Sequence, residues 1–451
     1  MAWENQLGDS LTHKKWHTVA ATQSIPYFNF AIADAEGATL TDVEGKKYID
    51  LMDSAAAVNI GHKNPKVIAA MKEQMNHFVA YDASYFVNSV SEHLAERLAK
   101  MAPGKGRGKM AYGASGSDAS EAMIKFARAY TGRSYVVAFD GAYHGTTYGT
   151  LSASSCDPEM VAKIGPLVPG FVHVPFPNAY RDKLPGESDH DFSQRYFKIF
   201  KEPFEHYLPV DETALVMMEP IQGDAGIIKP PKEYVQLIAD FCHQHGILLG
   251  VDEINQGLGR TGKFWSYQHF DVEPDLLATG KSLASGLPLS AVLGRAEILD
   301  SLGMSAYVFT GAGNPVICAA ANATLDVIKD EGLVEKSAED GKYAKKLADQ
   351  LAENHQMVGD VRMYGLNGGI ELVKDRKTKE KDEKAAGQII YRAFQKGVVM
   401  VKLAGNVLRF QPPLIISRSQ LDQAFTIIDE AMTDYEQGKI KMPAELVHTG
   451  W

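Results

Sequence analysis

The sequence predicts an α/β protein whose larger part is a mostly parallel sheet between helices. Short apolar runs such as residues 215–218 and 247–251 are typical of strands buried on both faces of a sheet. Segments such as residues 90–101 carry apolar side chains at helical spacing. Glycines and charged residues directly follow several of the apolar runs, at the position where open α/β folds bind ligands.

The segment 247–283 contains two of these strand ends. Residues 247–251 are followed by Asp252 and Glu253, two charged residues that the interior of a strand would not tolerate without partners. A second apolar run, residues 276–278, leads to Lys281. The sequence therefore predicts that an acid and a lysine converge at one edge of a parallel sheet.

A glycine-rich loop lies between these two strand ends. Residues 257–262 read Gly-Leu-Gly-Arg-Thr-Gly and match the G-x-G-x-x-G fingerprint of dinucleotide-binding proteins. That fingerprint should open a long helix, whereas Pro274 would stop any helix that began after this loop. The nicotinamide interpretation is therefore disfavoured.

Length, charge and cysteine content indicate which classes of protein the chain does not resemble. A chain of 451 residues predicts two or three domains, and a net charge of −10 argues against a general nucleic-acid or membrane binder. Three widely separated cysteines indicate a reducing compartment. No apolar run approaches the ~20 residues of a membrane helix, and the first residues do not resemble a signal peptide. We expect a cytoplasmic protein without a metal site.

Before the central segment, two further strand ends carry candidate site residues. Small residues at 112–119 precede a helical stretch, and backbone N–H groups at such a helix start bind anions. The strand 135–139 leads to Tyr143, an aromatic that can stack on a ring. The strand 215–218 ends in Glu219 and Asp224. Residues 178–210 are polar and acidic and are predicted to form a surface excursion.

Both ends of the chain predict smaller α+β elements. Residues 38–40 and 48–50 are predicted to form a hairpin, and Pro65 is predicted to begin a helix. From about residue 327 the sequence is charged and helical up to residue 354, and short strands and a charged loop follow.

These motifs together resemble the class III, or ω-type, aminotransferases of pyridoxal phosphate (PLP) fold type I. The motifs that carry the resemblance are Asp252-Glu253-Ile254 before the glycine loop, the downstream Gly-Lys-Ser, Tyr-His-Gly at 143–145 and Glu-Pro-Ile-Gln-Gly-Asp at 219–224. PLP needs a lysine amine for its aldehyde and a carboxylate for its pyridine nitrogen. The resemblance implies an N-terminal segment of the small domain at 1–60, a large PLP-binding domain with a seven-stranded-type sheet at 61–325, and a C-terminal small domain at 326–451.

The resemblance also implies the roles of individual residues. The implied PLP contacts are Gly116, Ser117, Tyr143, His144, Glu219, Asp252, Ile254, Asn255, Lys281 and Thr310. The implied catalytic residues are Lys281, Asp224 and Tyr143, and Arg409 is implied to bind the substrate carboxylate. Thr310 is implied to act on the cofactor of a neighbouring subunit, in a homodimer or a dimer of dimers.

Two departures from ordinary aminotransferases refine the function. Asp224 stands where many of them have glutamate, and Asn255 stands where glutamine is common. The branched-chain amino acid racemases, the isoleucine 2-epimerases, resemble the chain in both respects. We therefore expect racemisation of a branched-chain or other apolar amino acid at Cα. The alternative is an aminotransferase of the ω-amino acid or 4-aminobutyrate type, and a PLP-fold binding protein without turnover is disfavoured.

Overall fold

The computed structural model describes residues 6–25 and 27–443, so the outermost ends of the predicted first and third segments lie outside the described residues. The chain divides into two compact units. The larger unit comprises Pro65–Gly259 and Lys263–Glu331, and the smaller comprises the residues up to Asn64, Arg260–Gly262 and those from Gly332 onward.

Fifteen strands are described in the two units. In chain order they are β1 Ile32–Glu36, β2 Thr39–Asp42, β3 Lys47–Asp50, β4 Gly108–Gly113, β5 Tyr135–Phe139, β6 Phe171–Val174, β7 Thr213–Met218, β8 Leu248–Asp252, β9 Leu276–Thr279, β10 Ser290–Arg295, β11 Val358–Met363, β12 Gly368–Leu372, β13 Val398–Val399, β14 Lys402–Leu403 and β15 Val407–Phe410. The principal α-helices cover Gln6–Thr18, Pro65–His77, Ser89–Lys100, Gly116–Thr131, Tyr148–Ala153, Asp189–His206, Lys232–His245, Pro315–Asp330, Leu333–Asn354, Glu383–Lys396 and Arg418–Glu436, and the short helices cover Ala179–Asp182 and Ala296–Leu299.

The larger unit is built on a seven-stranded sheet in the order β4-β10-β9-β8-β7-β5-β6. Strand β10 is antiparallel to β4 and β9, whereas the neighbouring pairs from β9 through β6 are parallel. Strands β7 and β8 are buried along their whole length, as their unbroken apolar sequences predict. The mostly parallel seven-stranded sheet expected from the sequence is therefore confirmed.

The helix Gly116–Thr131 contacts this sheet through Met123 and Phe126, which share a buried core with Leu215 and Met217 of β7. Its first turn is fixed by a capping box in which Ser115 and Asp118 exchange side-chain and backbone hydrogen bonds. Gly132 ends the helix in the left-handed conformation, the position predicted for it.

The prediction of a surface excursion at residues 178–210 is wrong for most of that segment. A helix spans Asp189–His206, and it packs against the helix Lys232–His245. Phe192, Tyr196 and Phe200 recur every four positions and are buried. The charged residues between them mask an apolar stripe that is nevertheless sufficient to hold the helix on its neighbour.

The smaller unit contains two four-stranded sheets, ordered β1-β2-β3-β13 and β11-β12-β15-β14. Strand β13 pairs in parallel with β3, so segments far apart in the chain complete one sheet. The rings of Phe28 and Tyr48 stack on Phe394, with centroids 4.4 and 5.1 Å away. This confirms the predicted small α+β domain formed from both ends of the chain.

The glycine loop does not open a helix. Strand β8 ends at Asp252 and turns follow it, so the dinucleotide pattern lacks its structural context. Within the smaller unit, the buried guanidinium of Arg260 donates hydrogen bonds to Asn59 at 2.6 Å and to the carbonyl of Leu366 at 3.0 Å, and it also pairs with Asp53. The arginine of the loop is therefore a structural residue of that unit.

Asp53 begins a left-handed turn made entirely of residues other than glycine. Residues 53–56 have φ values of 55°, 49°, 61° and 64°. This conformation costs L-residues roughly 1–2 kcal/mol each, so the turn requires compensation. The buried ion pair between Asp53 and Arg260 anchors its first residue.

Within the described ranges, no helix combines the length and the apolar character that crossing a membrane requires.

Candidate active site

A pocket of about 230 Å³, partly open to solvent, lies in the larger unit. Its walls come from the start of the helix Gly116–Thr131 and from the residues that follow β5, β7, β8 and β9. The lining residues are Ser115, Gly116, Ser117, Tyr143, His144, Gly145, Glu219, Gly223, Asp224, Asp252, Ile254, Asn255 and Lys281. The carboxyl ends of the parallel strands thus bring most of the predicted site residues together.

One end of the pocket is formed by the first turn of the helix Gly116–Thr131. A side chain at Gly116 would place its Cβ 3.2 Å from atoms of Ile254, so Ile254 would have to shift to make room for it. The Ser117 hydroxyl accepts a hydrogen bond from the backbone N–H of Thr146 at 3.1 Å, which leaves its own proton available. Uncrowded N–H groups at a helix start suit a phosphate.

The acid at the end of β8 is held by its neighbours. Asp252 Oδ2 lies 2.8 Å from His144 Nδ1, and Asp252 Oδ1 accepts from the backbone N–H of Ile254 at 3.0 Å. Both side chains are buried, and His144 Nε2 has no hydrogen-bond partner among the described residues. The sequence predicted His144 as a direct PLP contact, and the geometry gives it a further task, which is orienting Asp252.

Glu253 is not part of the pocket although it is next to Asp252. Its carboxylate accepts hydrogen bonds from Ser266 N, Ser266 Oγ and Tyr267 N, each at 2.8 Å. Successive residues at a strand end point to opposite sides, so the two acids separate. Burial raises the pKa of Glu253 to about 7, although these donors oppose the shift.

Lys281 follows β9 and lines the pocket with a strained backbone. Its φ of 44° is in the left-handed region, and it begins a short 3₁₀ turn that ends at Ala284. Such strain in a non-glycine residue persists only where the surrounding structure imposes it, and it is concentrated at functional sites. Gly280, just before it, lies against Ile254 and Ser290.

Two further side chains, Tyr143 and Asp224, belong to the same pocket. Burial, followed by the nearby Asp224 carboxylate, raises the pKa of Tyr143 to about 12, so its hydroxyl keeps its proton at neutral pH. Asn255 also lines the pocket, and its side chain lies beside Gly223.

Thr310 and Arg409 are not among the residues that line the pocket. Thr310 is exposed in a loop before the helix Pro315–Asp330. Arg409 belongs to the smaller unit, where it is buried and donates to Gln411. Their predicted roles remain predictions.

Three lining residues, Ser115, Gly145 and Gly223, were not predicted from the sequence. Ser115 and Gly223 stand directly beside residues that were predicted, and Gly145 completes the Tyr-His-Gly triplet. A Cβ at Gly145 would lie 2.4 Å from Ser117 Oγ, so close backbone approach is the reason for this glycine. The adjacency of small residues to the predicted ones was the available signal.

The chemistry of these groups fits PLP. The helix start can hold its phosphate, Asp252 can hold its protonated ring nitrogen, Tyr143 and Ile254 can face its ring, and Lys281 can react with its aldehyde. The mostly parallel sheet and these strand-end groups define a PLP enzyme of fold type I.

The chain belongs to the class III aminotransferase family, because the sequence model described as Aminotransferase class-III matches residues 19–432. The chain is 56% identical over 433 residues to isoleucine 2-epimerase of Lentilactobacillus buchneri, with 96% of each chain covered. It is 40% identical over 429 residues to leucine/methionine racemase of Thermococcus litoralis, covering 95% of this chain and 96% of that protein.

Among solved structures, the (S)-enantioselective ω-transaminase from Thermomicrobium roseum superposes with a TM-score of 0.88 at 30% identity. The match covers 96% of this chain and 99% of that one. Family and fold therefore agree, and PLP is the cofactor.

Proposed function

We propose that the protein is a PLP-dependent racemase that inverts Cα of branched-chain or other apolar amino acids, with isoleucine as the first candidate substrate. The observation that carries this proposal is that Lys281, Asp224 and Tyr143 line one pocket, from the ends of three different strands. Inversion requires a proton to leave from one face of Cα and to return on the other. Two groups of acid–base residues in one pocket meet that requirement.

PLP, when bound, supplies an aldehyde for the amino group of the substrate and a ring that withdraws electrons from Cα. Asp252 would accept a hydrogen bond from the protonated ring nitrogen of bound PLP, and His144 keeps that carboxylate oriented. A charge-assisted hydrogen bond of this kind contributes roughly 1.5–3 kcal/mol. Lys281 then removes the Cα proton from its own side, a general-base contribution of about 10²–10⁴-fold.

The second proton transfer is assigned to Asp224 and Tyr143, acting directly or through a water. The raised pKa of Tyr143 keeps its hydroxyl protonated, so it is able to donate. Asp224 is close enough to influence that pKa and supplies the acceptor for the reverse direction. Together they can serve the face of Cα opposite Lys281.

The substrate assignment is supported by the printed names of the relatives, isoleucine 2-epimerase and leucine/methionine racemase. One methylene in an apolar pocket changes binding by only about 1–3 kcal/mol, so several apolar amino acids are compatible with one site. Arg409 is proposed to bind the substrate carboxylate, because a guanidinium matches that group bidentately.

The alternative is transamination, the activity for which the family is named. In the ω-type enzymes, a glutamate at the position of Asp224 is expected to pair with the arginine and to let one pocket accept two substrates. The shorter Asp224 favours the racemase.

We further propose that the enzyme works as a homodimer or a dimer of dimers, in which Thr310 acts on the neighbouring cofactor. An exposed apolar strip supports this assembly. The strip consists of Phe78, Val79, Tyr81, Tyr85, Phe86 and Val87. All six belong to residues 78–87, and the ring centroids of Tyr81 and Phe86 are 5.6 Å apart. Exposed apolar side chains grouped in this way are typical of interaction surfaces.

The division of the chain at residues 60 and 325, with cofactor binding assigned to the middle segment, remains a proposal. A cytoplasmic location is also proposed, and it is supported by the free thiols of Cys156, Cys242 and Cys318.

One experiment separates racemase from aminotransferase. The protein is incubated with L-isoleucine and PLP in D2O without a keto acid, and proton loss at Cα and product stereochemistry are followed. Formation of D-allo-isoleucine supports the racemase. Turnover that occurs only after a keto acid is added would instead make the protein an aminotransferase.

A further inference from the structure

Glu219 connects the two loops that carry the proposed second acid–base pair. Its Oε1 accepts a hydrogen bond from the backbone N–H of Tyr143 at 3.1 Å, and its Oε2 accepts from the backbone N–H of Gly223 at 2.8 Å. Gly223 directly precedes Asp224. One carboxylate therefore holds the backbone of Tyr143 and the backbone next to Asp224.

The turn that carries Asp224 is tightly constrained around Gly223. The Gly223 carbonyl accepts hydrogen bonds from the N–H groups of Gly226 and Ile227, both at 3.0 Å. A Cβ at Gly223 would lie 3.3 Å from both Glu219 Oε2 and Gln256 Nε2. Glu219 therefore contacts the turn at a point where the backbone has little freedom to shift.

The same two loops are joined a second time, through residues other than Tyr143 and Asp224. Gln222 Nε2 donates to the carbonyl of Asp140 at 2.9 Å. A Cβ at Gly141 would lie 3.1 Å from that of Ala225. Gln222 is buried like Glu219 and also joins the two loops, but its side chain donates to the Asp140 carbonyl rather than accepting from the backbone of Tyr143 or Gly223. It is therefore a suitable control position.

Burying the charged carboxylate of Glu219 costs free energy of desolvation, which a purely structural connection between the loops would not require. The side chain is 5% exposed. Burial raises its pKa to about 7, His144 opposes this shift and Asp252 adds to it. A neutral side chain such as that of Gln222 already joins the loops, whereas a carboxylate can accept from both N–H groups at once.

We propose that Glu219 is a positioning residue for the racemase reaction. By holding Tyr143 and the Asp224 turn together, it sets the place from which a proton reaches the face of Cα opposite Lys281. The inference rests on the proposed function. Its consequence is that loss of Glu219 impairs inversion more than it impairs proton exchange through Lys281.

The test compares inversion with exchange in D2O for the holoenzyme and its Glu219→Gln variant. Each epimer of isoleucine is supplied separately, exchange at Cα is followed by proton NMR, and inversion is followed by chiral chromatography. From the epimer whose Cα proton faces Lys281, exchange continues with retention while inversion falls. A misplaced acid–base group loses part of its about 10²–10⁴-fold effect, so we expect the ratio of inversion to exchange to fall about tenfold.

From the other epimer, Asp224 and Tyr143 must act first, so exchange and inversion fall together. This difference between the epimers is a signature that a general loss of folding does not produce. The control is Gln222→Met, which removes the second connection and should leave the ratio within about twofold of wild type, since it leaves both contacts of Glu219 in place.

An unchanged ratio in Glu219→Gln, or the same fall in Gln222→Met, would overturn the inference. If Glu219→Gln does not accumulate as folded holoenzyme, Glu219→Asp is measured in its place. Its carboxylate is shorter by one methylene and cannot span both N–H groups, so the ratio should again fall. Wild-type protein that forms no D-allo-isoleucine would contradict the proposed function itself, which distinguishes the two failures.

Discussion

His144 and Asp252 form a buried pair in which the imidazole Nδ1 lies 2.8 Å from the carboxylate Oδ2. The two residues are 108 positions apart and come from the ends of different strands. Because the imidazole occupies one carboxylate oxygen and the backbone of Ile254 occupies the other, Asp252 has a fixed orientation toward the pocket. If Asp252 holds the ring nitrogen of the cofactor as proposed, this pair sets the orientation of the carboxylate that does so.

Replacing His144 with alanine should therefore slow catalysis without removing the cofactor. Loss of a hydrogen bond to a charged group costs about 1.5–3 kcal/mol, which corresponds to a fall in kcat of about 10–150-fold. The measurement is the exchange rate at Cα together with the absorbance of bound PLP. His173→Ala is the control, because that imidazole contacts the backbone carbonyl of Ser152 instead. Equal effects of the two variants would contradict the assigned role.

Lys281 should be indispensable both for proton transfer and for the covalent attachment of PLP. We expect Lys281→Ala to lose the yellow absorbance of the attached cofactor and at least about 10³-fold in the exchange rate at Cα, within the usual range for a general base. Lys229→Ala is the comparison, since Lys229 is another partly buried lysine of the larger unit, beside Phe270. Retention of the yellow colour by Lys281→Ala would refute the assignment of the reactive lysine.

Asp224 should be needed for inversion but not for binding PLP. In Asp224→Ala, the carboxylate near the Tyr143 hydroxyl is lost, and we expect inversion to fall about 10²-fold, at the lower end of acid–base effects. Chiral chromatography of reactions started from each epimer measures this. Asp224→Glu restores a carboxylate of greater reach and tests whether length or charge matters. Full-rate interconversion by Asp224→Ala would remove Asp224 from the mechanism.

The pKa of Glu219 predicts a pH dependence of stability. Its folded-state value is raised from 4.5 to about 7, so the folded apoenzyme keeps a proton that the unfolded chain has already released. The resulting stabilisation is complete below the unfolded pKa and is lost as pH rises through about 7. Between the unfolded pKa of 4.5 and the folded pKa of about 7, the free energy of unfolding of wild type should fall by about 3 kcal/mol relative to that of Glu219→Gln. The glutamine has no proton that titrates in this range.

Urea unfolding of both apoproteins between about pH 5 and pH 8 measures this difference. Glu253 has the same raised value through burial, so Glu253→Gln should change the pH profile in the same direction. Parallel profiles for wild type and both variants would show that neither carboxyl retains a proton in the folded protein.

The sequence predicted most of the pocket because strand ends are readable from a chain. Asp252 and Lys281 each follow an apolar run, and parallel strands deliver their carboxyl ends to one edge. The contact between His144 and Asp252 was not predictable in this way. It depends on the spatial order β5-β7-β8, which does not follow from local pattern.

Other features left little or no local signal. The left-handed turn at residues 53–56 contains no glycine that would have indicated it. The partner of its first residue, Arg260, lies far away in the sequence, so the ion pair between Asp53 and Arg260 could not be predicted from local pattern. The divergence of Asp252 and Glu253 could have been predicted, because consecutive residues at a strand end face opposite sides.

The apolar strip of residues 78–87 leads to the last prediction, that a second copy of the chain covers this surface. Phe86 and Val87 are 67% and 78% exposed, unusual values for large apolar side chains in a finished assembly. Phe86→Asp places a charge in the proposed interface and should convert the dimer into a monomer, because an unpaired buried charge costs several kcal/mol. Size-exclusion chromatography with light scattering measures the mass.

The matched control is Tyr207→Asp, since Tyr207 is 66% exposed but lies outside the strip. If Thr310 contributes to the neighbouring cofactor site, the Phe86→Asp monomer should also bind PLP more weakly, and Thr310→Ala should weaken binding while the dimer persists. Since each hydrogen bond to a charged phosphate contributes about 1.5–3 kcal/mol, the loss for Thr310→Ala should be at least about tenfold in Kd. A Phe86→Asp protein that remains dimeric would mean that the subunits meet elsewhere, and a dimeric Thr310→Ala with unchanged affinity would exclude Thr310 from the phosphate site.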